Sequence, residues 1–306
     1  MAEAGRKTLR FHFARMLSHE AGTRLGEDIE QLHDMRVATR RMRAAFDVFG
    51  PYLKPRTVKK RLKKLRVAGR TLGRVRDLDV FMEKTAEYLE TLPEHERRGL
   101  HPLMEQWKRK RALEREKLIA YLDSENYQRF KKEFNGFTAW PEVISRHLSE
   151  TPPGPDLVKL AVPVLIYTRL SALRARETLI QNAAVDELHA LRIETKKLRY
   201  ALEFFHEVLG EEAKEVIAEL KIIQDHLGNL NDANVACQIL SAFIEVAEAQ
   251  QNELPLNERQ SLEPVVAYLA AKHAERHHLM VTFPKIWKRF NRRENLRNIA
   301  LSISGL

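Results

Sequence analysis

The sequence predicts an all-α protein. Glycine and proline are scarce among the 306 residues, with 12 of each, and long stretches are rich in Leu, Ala, Glu, Lys and Arg. No stretch shows the sustained alternation of apolar and polar residues that is typical of half-buried strands. Hydrophobic residues make up 44% of the chain, which is enough to form a sizeable core. Helices are therefore expected along the whole chain.

The first half of the sequence is predicted to contain helices whose ends are marked by glycine, proline or a cap. Gly50 and Pro51 are expected to end the second helix, and Gly73 to stop the third. Asp77 is expected to cap the next helix, because an aspartate there accepts hydrogen bonds from the first free N–H groups. The predicted helices are Thr8–Leu25, Ile29–Phe49, Lys59–Leu72, Leu78–Thr91, Leu100–Leu122 and Tyr127–Phe137.

The stretch TPPGPD, Thr151–Asp156, is the clearest break in the chain. A helix from Leu157 to the low 180s is expected after it, with Pro163 as a kink. Gly228 and Asp232 are expected to act as a stop and a cap, as Gly73 and Asp77 do in the first half. The further predicted helices are Val185–Leu209, Glu211–Leu227, Ala233–Ala249, Glu258–Met280 and Phe283–Phe290.

The chain contains an internal repeat. Leu32–Phe49 and Leu188–Phe205 are identical at seven of eighteen positions, and LGRVRDLDV (72–80) matches LGNLNDANV (227–235) further on. The offsets of about 156 and 155 residues show that order and spacing persist. The repeat predicts one duplicated domain over 1–306, with halves 1–150 and 157–306 joined by 151–156. Each half is expected to resemble a four-helix bundle, and the halves to be related by a pseudo-twofold axis.

Each copy of the repeat carries a row of basic residues on one helix face. His33, Arg36, Arg40 and Arg43 stand at spacings of 3, 4 and 3, so they fall within an arc of about 80° and extend about 15 Å. The second copy repeats the row as His189, Arg192, Lys196 and Arg199. A stripe of Lys59, Lys63, Arg66 and Arg70 follows the first row. A row of this length fits an extended polyanion better than a single phosphate.

The positive charge is concentrated in one segment. The net charge is +10, yet residues 36–76 contain 15 Lys and Arg and a single acid, Asp47, which leaves −4 for the rest of the chain. A solvated face would be expected to carry acidic partners at neighbouring turns, and none is present within the rows. Such a field is typical of a protein that captures a polyanion.

Apolar residues flank the basic rows on both sides. Leu32, Met35 and Phe46 predict a core face on one side, and Val37, Ala44 and Val48 lie on the other. In the second copy these last three positions are Ile193, Tyr200 and Phe204. The rows are therefore expected to line a groove between helices. Asp47 and Glu203 continue the rows and are expected to pair with their last basic residues.

The motifs HDMRVATRRMR and HALRIETKKLR, with LGRVRDLDV and LGNLNDANV downstream, resemble those of the CHAD family, the conserved histidine α-helical domain. The resemblance covers about residues 8–290. It implies two helical bundles around a basic central groove or pore that binds inorganic polyphosphate, with some members found on polyphosphate granules. The binding residues it implies are His33, Arg36, Arg40, Arg43, Lys63, Arg66, Arg70, His189, Arg192, Lys196, Arg199 and Lys221.

Two departures from the family pattern are visible. Arg70 corresponds to Asp225 and Lys63 to Ala218, so the second half is less basic and the first is expected to dominate binding. Many members of the family also carry a CYTH triphosphatase domain, and its E-x-E-x-K signature is absent here. The chain is interpreted as a stand-alone, non-catalytic binder that needs no cofactor or metal.

Two other functions remain open. Nucleic acid would be attracted by the same charge, although no aromatic residues suited to base stacking accompany the rows. A metal-dependent polyphosphate hydrolase would need ligands such as Asp77, Asp79, Asp232 and Asn234, which are better explained as helix caps. His273, His277 and His278 are interpreted as a helix face and Cys237 as a buried thiol. The single cysteine, the lack of an apolar leader and the short apolar runs predict a cytoplasmic protein with no membrane contact.

Overall fold

The computed structural model describes residues 1–139 and 156–306, and within these ranges it confirms the all-α prediction. No β-strand occurs in the described part of the chain. The helices are α1 Ala2–Ser18, α2 Glu20–Leu25, α3 Ile29–Phe49, α4 Pro55–Thr91, α5 Glu94–Arg97, α6 His101–Asp123, α7 Glu125–Ala139, α8 Val158–Arg174, α9 Val185–Phe205, α10 Glu212–Asn252, α11 Glu263–Phe290 and α12 Arg293–Ser304. Short 3₁₀ turns lie at Gly50–Tyr52, Arg98–Leu100, Glu177–Asn182 and Leu256–Glu258.

Two predicted breaks do not exist. Helix α4 runs without interruption through Gly73 and Asp77, and α10 runs through Gly228 and Asp232. A glycine inside a helix costs only about 1 kcal/mol relative to alanine, and the buried positions on both sides of each glycine outweigh that cost. Leu72, Val75 and Leu78 are all buried around Gly73. The prediction of separate helices, and of Asp77 and Asp232 as N-caps, was therefore wrong.

The helices that carry the two basic rows have matching bounds. Both α3 and α9 contain 21 residues, and both of their ends are separated by 156 positions in the chain. The start of α3 is fixed by Asp28, whose side chain accepts a hydrogen bond from the Glu30 backbone N–H at 2.9 Å. The pseudo-twofold relation between the halves stays a prediction, and most of the expected linker 151–156 lies outside the described residues.

The chain divides into two compact units that do not coincide with simple halves of the sequence. The first unit contains Met1–Val80 and Arg109–Leu165, and the second contains Phe81–Lys108 and Ile166–Gly305. Helices α4, α6 and α8 each contribute residues to both units.

The core of the first unit is an aromatic cluster between α1, α3 and α7. The Phe13 and Phe134 rings lie 4.7 Å apart between centroids, and Phe46 stacks on Phe137 at 6.2 Å. All four side chains are buried, and each such burial stabilises the fold by about 1.5–3 kcal/mol. This cluster fixes which face of α3 points inward, and thereby leaves the basic row of α3 pointing away from the core.

The core of the second unit is formed by α10 with α9, α11 and α12. Tyr268 is fully buried, stacks on Tyr88 at 4.3 Å between ring centroids, and shares a hydrogen bond with Thr85. His226 on α10 lies 2.8 Å from the backbone oxygen of Leu279 on α11. The His226 contact joins α10 to α11, and the Tyr268 contacts join α11 to α4.

Candidate anion-binding site

The basic row of α3 emerges beside the core of the first unit. Met35 and Met42 are fully buried on the inner face, while His33, Arg36 and Arg40 are half-buried and Arg43 is exposed. The guanidinium and imidazole groups therefore lie at the boundary between core and solvent. There they can meet a ligand while their aliphatic parts pack against the protein.

Helix α4 packs antiparallel to α3 with glycines at the contact. A methyl group at Gly69 would lie 3.5 Å from Thr39 Oγ1, and one at Gly73 would lie 3.5 Å from Arg36 Nε. Higher numbers on α4 thus meet lower numbers on α3. Because Lys63, Arg66 and Arg70 lie within about 80° of Gly73 around α4, this register places them beside the row of α3. We call these seven residues, together with Lys59 one turn further along α4, the first basic surface: His33, Arg36, Arg40, Arg43, Lys59, Lys63, Arg66 and Arg70.

The row on α4 is open to a ligand. Lys59, Lys63, Arg66 and Arg70 are all exposed, and none of them forms an ion pair with a described carboxylate. Other basic residues of α4 are paired: Lys60 and Lys64 contact Glu133, and Arg74 lies 3.8 Å from Glu114. The acidic partners are therefore on the other sides of the helix. A solvated face balanced by its own acids does not describe this surface.

Asp77 is a carboxylate in contact with the first basic surface. Its Oδ1 lies 2.9 Å from Arg36 Nη2, and both side chains are accessible to solvent. Exposed ion pairs of this kind contribute only about 0–1 kcal/mol, so a phosphate oxygen can replace the carboxylate. The residue that the sequence assigned to a helix cap is thus a partner of the basic row.

His33 is partly buried and has charged neighbours of both signs. Burial and the nearby charge of Arg76 lower the pKa of His33, and Arg40 adds to the effect. Glu30 and Asp34 oppose it. A neutral imidazole is therefore favoured near pH 7 until an anion arrives, and a bound polyanion would raise the pKa again.

Arg76 was missed by sequence reasoning. Its side chain is 9% exposed, and the carboxylate in contact with it, Glu30, lies 3.6 Å away, beyond hydrogen-bond distance. No described group accepts a hydrogen bond from its Nε or Nη1. Arg76 falls outside the stripe formed by Lys63, Arg66 and Arg70, so helical spacing alone could not select it. The equivalent position in the second copy, Asn231, was the available signal, because the two residues differ in charge within a matched motif.

The second unit brings α9 and α10 together in the same antiparallel manner. His189 Nδ1 lies 3.1 Å from Asn231 Oδ1, and Arg199 Nε donates to Gln224 Oε1 at 2.7 Å. His189 and Lys221 are exposed, while Arg192, Lys196 and Arg199 are partly buried. We call these five residues the second basic surface: His189, Arg192, Lys196, Arg199 and Lys221.

The last arginine of the second basic surface is neutralised within the protein. Arg199 Nη1 donates to Glu203 Oε1 at 2.7 Å, and the two side chains are 13% and 14% exposed. This contact confirms the expected pairing at the end of the second row. Gln224 takes another of its N–H groups, so two of the five donors of Arg199 are used within the protein.

The apolar flanks are only partly buried. Val48 and Tyr200 are buried as expected, but Ile193 is 41% exposed. The flank of the second row is therefore more open than its apolar composition indicated, because no described element covers α9 at that point. A groove that joins the two basic rows stays a prediction.

The remaining polar residues of the repeated motif tie helices together. Asp79 pairs with Arg111 of α6, and Asn234 accepts a hydrogen bond from Arg276 of α11 at 3.1 Å. Asp232 contacts Lys84 at 3.1 Å. These contacts, and not helix capping, account for the carboxylates and amides at the equivalent positions.

The histidines of α11 and the single cysteine were the other residues singled out from the sequence. His273 Nδ1 lies 3.0 Å from Arg276 Nη2, and Cys237 is buried, which raises the pKa of its thiol. Within residues 1–139 and 156–306, no group of three or more His, Cys, Asp or Glu side chains is arranged to hold a metal ion. No helix in the same ranges is both long and apolar enough to cross a membrane.

The fold and the basic rows define a helical protein with two related cationic helices. The CHAD domain model matches residues 7–241, so the chain belongs to the CHAD family. The structure is similar to the crystal structure of the CHAD domain from the plant Ricinus communis, with a TM-score of 0.65 and 24% identity over 100% of this chain and 92% of that one. It is also similar to PptA from Streptomyces chartreusis, with a TM-score of 0.69 and 13% identity over 94% of this chain and 99% of that one. Comparison with curated proteins found no relative.

Proposed function

We propose that this protein binds inorganic polyphosphate without catalysing its breakdown, and that the first basic surface is the main binding site. The observation that carries the proposal is the row Lys59, Lys63, Arg66 and Arg70, which is exposed and forms no ion pair with a described carboxylate. Four cations on one helix beside a second row repel one another, and a linear polyanion relieves that repulsion.

The shape of the surface supports a linear ligand. Lys59 to Arg70 extends about 16 Å along α4, and the row of α3 runs antiparallel beside it. Arginine offers a planar fork that bonds two phosphate oxygens, while lysine acts as a mobile point charge. A chain of phosphates can thus take donors alternately from the two helices. The polyphosphate binding implied by the family resemblance agrees with this arrangement.

Nucleic acid is the second candidate, since its backbone presents the same charge. The aromatic residues of α3, Phe46 and Phe49, are buried in the core and cannot stack on bases. Single-stranded nucleic acid gains much of its affinity from such stacking. The surface therefore favours a ligand that consists of phosphate alone.

A competition titration tests the proposal. Labelled long-chain polyphosphate is bound to the protein at physiological salt and displaced with either unlabelled polyphosphate or single-stranded RNA of equal phosphate content. We expect polyphosphate to compete at least tenfold better. The logarithm of the affinity should fall with the logarithm of salt with a slope of roughly −0.7 per phosphate neutralised, by analogy with single-stranded nucleic acid.

Equal competition by RNA would replace the proposal with general nucleic-acid binding. Release of orthophosphate from polyphosphate in the presence of protein and Mg²⁺ or Mn²⁺ would show that the protein is an enzyme. In cells we expect a cytoplasmic protein that is recruited to polyphosphate granules, which co-localisation with the granules would test.

A further inference from the structure

Arg76 is a buried cation whose hydrogen-bonding capacity is not used within the described structure. Its side chain is 9% exposed, and Nε and Nη1 have no acceptor. Burying a guanidinium costs free energy unless an anion and hydrogen-bond acceptors surround it. Glu30, at 3.6 Å and itself exposed, is too distant to supply them. Such a group indicates the place of an anionic ligand.

The surroundings of Arg76 are also positive. His33 is close enough for the charge of Arg76 to lower its pKa, and Arg40 acts on the same imidazole. Glu30 belongs to the first turn of α3, so this cluster lies at the positive end of the helix dipole. Arg76, Arg40 and the helix dipole therefore contribute positive potential where the row of α3 begins, and Glu30 and Asp34 partly offset it.

The fold itself does not require an arginine here. The equivalent residue in the second unit is Asn231, a neutral side chain that contacts His189 at 3.1 Å. The two histidines thus differ in their neighbours. Asn231 lies within hydrogen-bond distance of His189, whereas the guanidinium of Arg76 repels the protonated form of His33. The repeated motif therefore accommodates a neutral side chain at this position, and an arginine is not a requirement of the motif.

We propose that Arg76 and His33 form a subsite for a terminal phosphoryl group, supplied by the end of a polyphosphate chain or by free orthophosphate. This inference rests on the proposed function. A terminal phosphoryl group carries nearly two negative charges near pH 7, whereas an internal unit carries one, because only the former has a second ionisation near pH 6. A buried guanidinium with two nitrogens that have no described acceptor recognises that difference, since its planar fork bonds two oxygens of one phosphoryl group. The subsite receives the chain end, and the rest of the chain follows the first basic surface.

The test compares polyphosphate of one length with free ends against the same material with both ends blocked as phosphoramidates. We expect the protein to bind free-ended chains about tenfold more tightly than blocked chains. The variant Arg76→Asn, which copies the second unit, should bind both ligands equally, at the affinity that the protein shows for blocked chains. Orthophosphate added to the titration distinguishes the two sources: loss of the free-end preference assigns the subsite to any phosphoryl dianion, and its persistence assigns it to chain ends.

Arg74→Asn is the matched control, because it removes the same charge from the same helix at a residue that faces Glu114. It should keep the free-end preference. Arg76→Asn should not lower the melting temperature in phosphate-free buffer, whereas a purely structural arginine would. Arg76→Lys is a second variant that keeps the charge at this position and should lose most of the preference, since an ammonium lacks the planar fork.

The outcomes separate the two proposals. Tight binding with no preference for free ends, or a preference that survives in the Arg76 variants, overturns the subsite and leaves the proposed function intact. Failure of the unmodified protein to bind either form of polyphosphate overturns both.

Discussion

The two basic surfaces have matching helices but different charge balances. On the first, α4 places Lys63, Arg66 and Arg70 beside the row of α3, and these residues have no described acidic partner. On the second, α10 offers Ala218, Lys221 and Asp225 at the same positions, and Glu203 and Gln224 hold Arg199. Under the proposed function, retaining a helix and its basic motif is therefore not enough to retain a binding site. Two features distinguish the surfaces: the charges that the neighbouring helix adds, and the ion pairs that the basic residues already form with carboxylates of the protein.

The largest effect should come from removing the open row of α4. Replacing Lys63, Arg66 and Arg70 together with alanine should weaken polyphosphate binding about a hundredfold, on the basis of about 1 kcal/mol per cation beside a polyanion. Isothermal titration at fixed salt measures the loss. The control variant replaces Lys60, Lys64 and Arg74 with alanine, which removes equal charge from the same helix at paired positions. A similar loss in both triple variants would mean that net charge alone governs binding.

On the second basic surface, removing an acidic partner should lower the free energy of unfolding. Glu203→Ala leaves the partly buried Arg199 without its carboxylate, and we expect unfolding to be easier by about 1–2 kcal/mol. Asp77→Asn at the exposed pair of the first surface should change stability by less than about 0.5 kcal/mol. Urea denaturation of both variants provides the comparison. Equal changes would contradict the distinction between a neutralised and an open surface.

The ion pair on the first surface should compete with the ligand. Asp77→Asn frees Arg36, and we expect polyphosphate affinity to rise by up to about fivefold. Asp123→Asn is the matched control, because Asp123 pairs with Arg24, which lies outside the first basic surface. In an Arg36→Ala background the gain from Asp77→Asn should vanish. A gain that remains there would assign the effect to long-range charge.

The smallest expected effect is a pH dependence that belongs to the first surface. The pKa of His33 is lowered in the free protein by burial and Arg76, with Arg40 adding to it and Glu30 and Asp34 opposing it. Since bound polyanion raises that pKa, the complex takes up a proton and affinity should increase as pH falls from 8 to 6. We expect a change of a few fold, flattened in His33→Gln and retained in His189→Gln. Equal flattening in both variants would refute a specific role of His33.

Sequence patterns gave the right answer where the controlling interactions are local. The bounds of α3 were predicted correctly, because Asp28 caps its start and Gly50 and Pro51 follow its end. Gly73 and Gly228 led to wrong predictions because a glycine ends a helix only where packing permits, and both lie inside long helices that have a buried face. Arg76 could not be found by periodicity, since its burial depends on how α3 and α4 meet. The pairing of Glu203 was predictable because its partner lies one turn away on the same helix.

Gly73 has a consequence for engineering the protein. An alanine there would meet Arg36 Nε at 3.5 Å, an ordinary contact, while at Gly228 nothing lies within 4 Å. Replacing either glycine with alanine should stabilise its helix by about 0.5–1 kcal/mol, since alanine loses less backbone entropy than glycine on folding. Only the first would restrict the motion of the Arg36 guanidinium, which under the proposed function exchanges Asp77 for a phosphate group. Gly73 thus makes α4 less stable than alanine would, and in return it leaves space in which the Arg36 side chain can move.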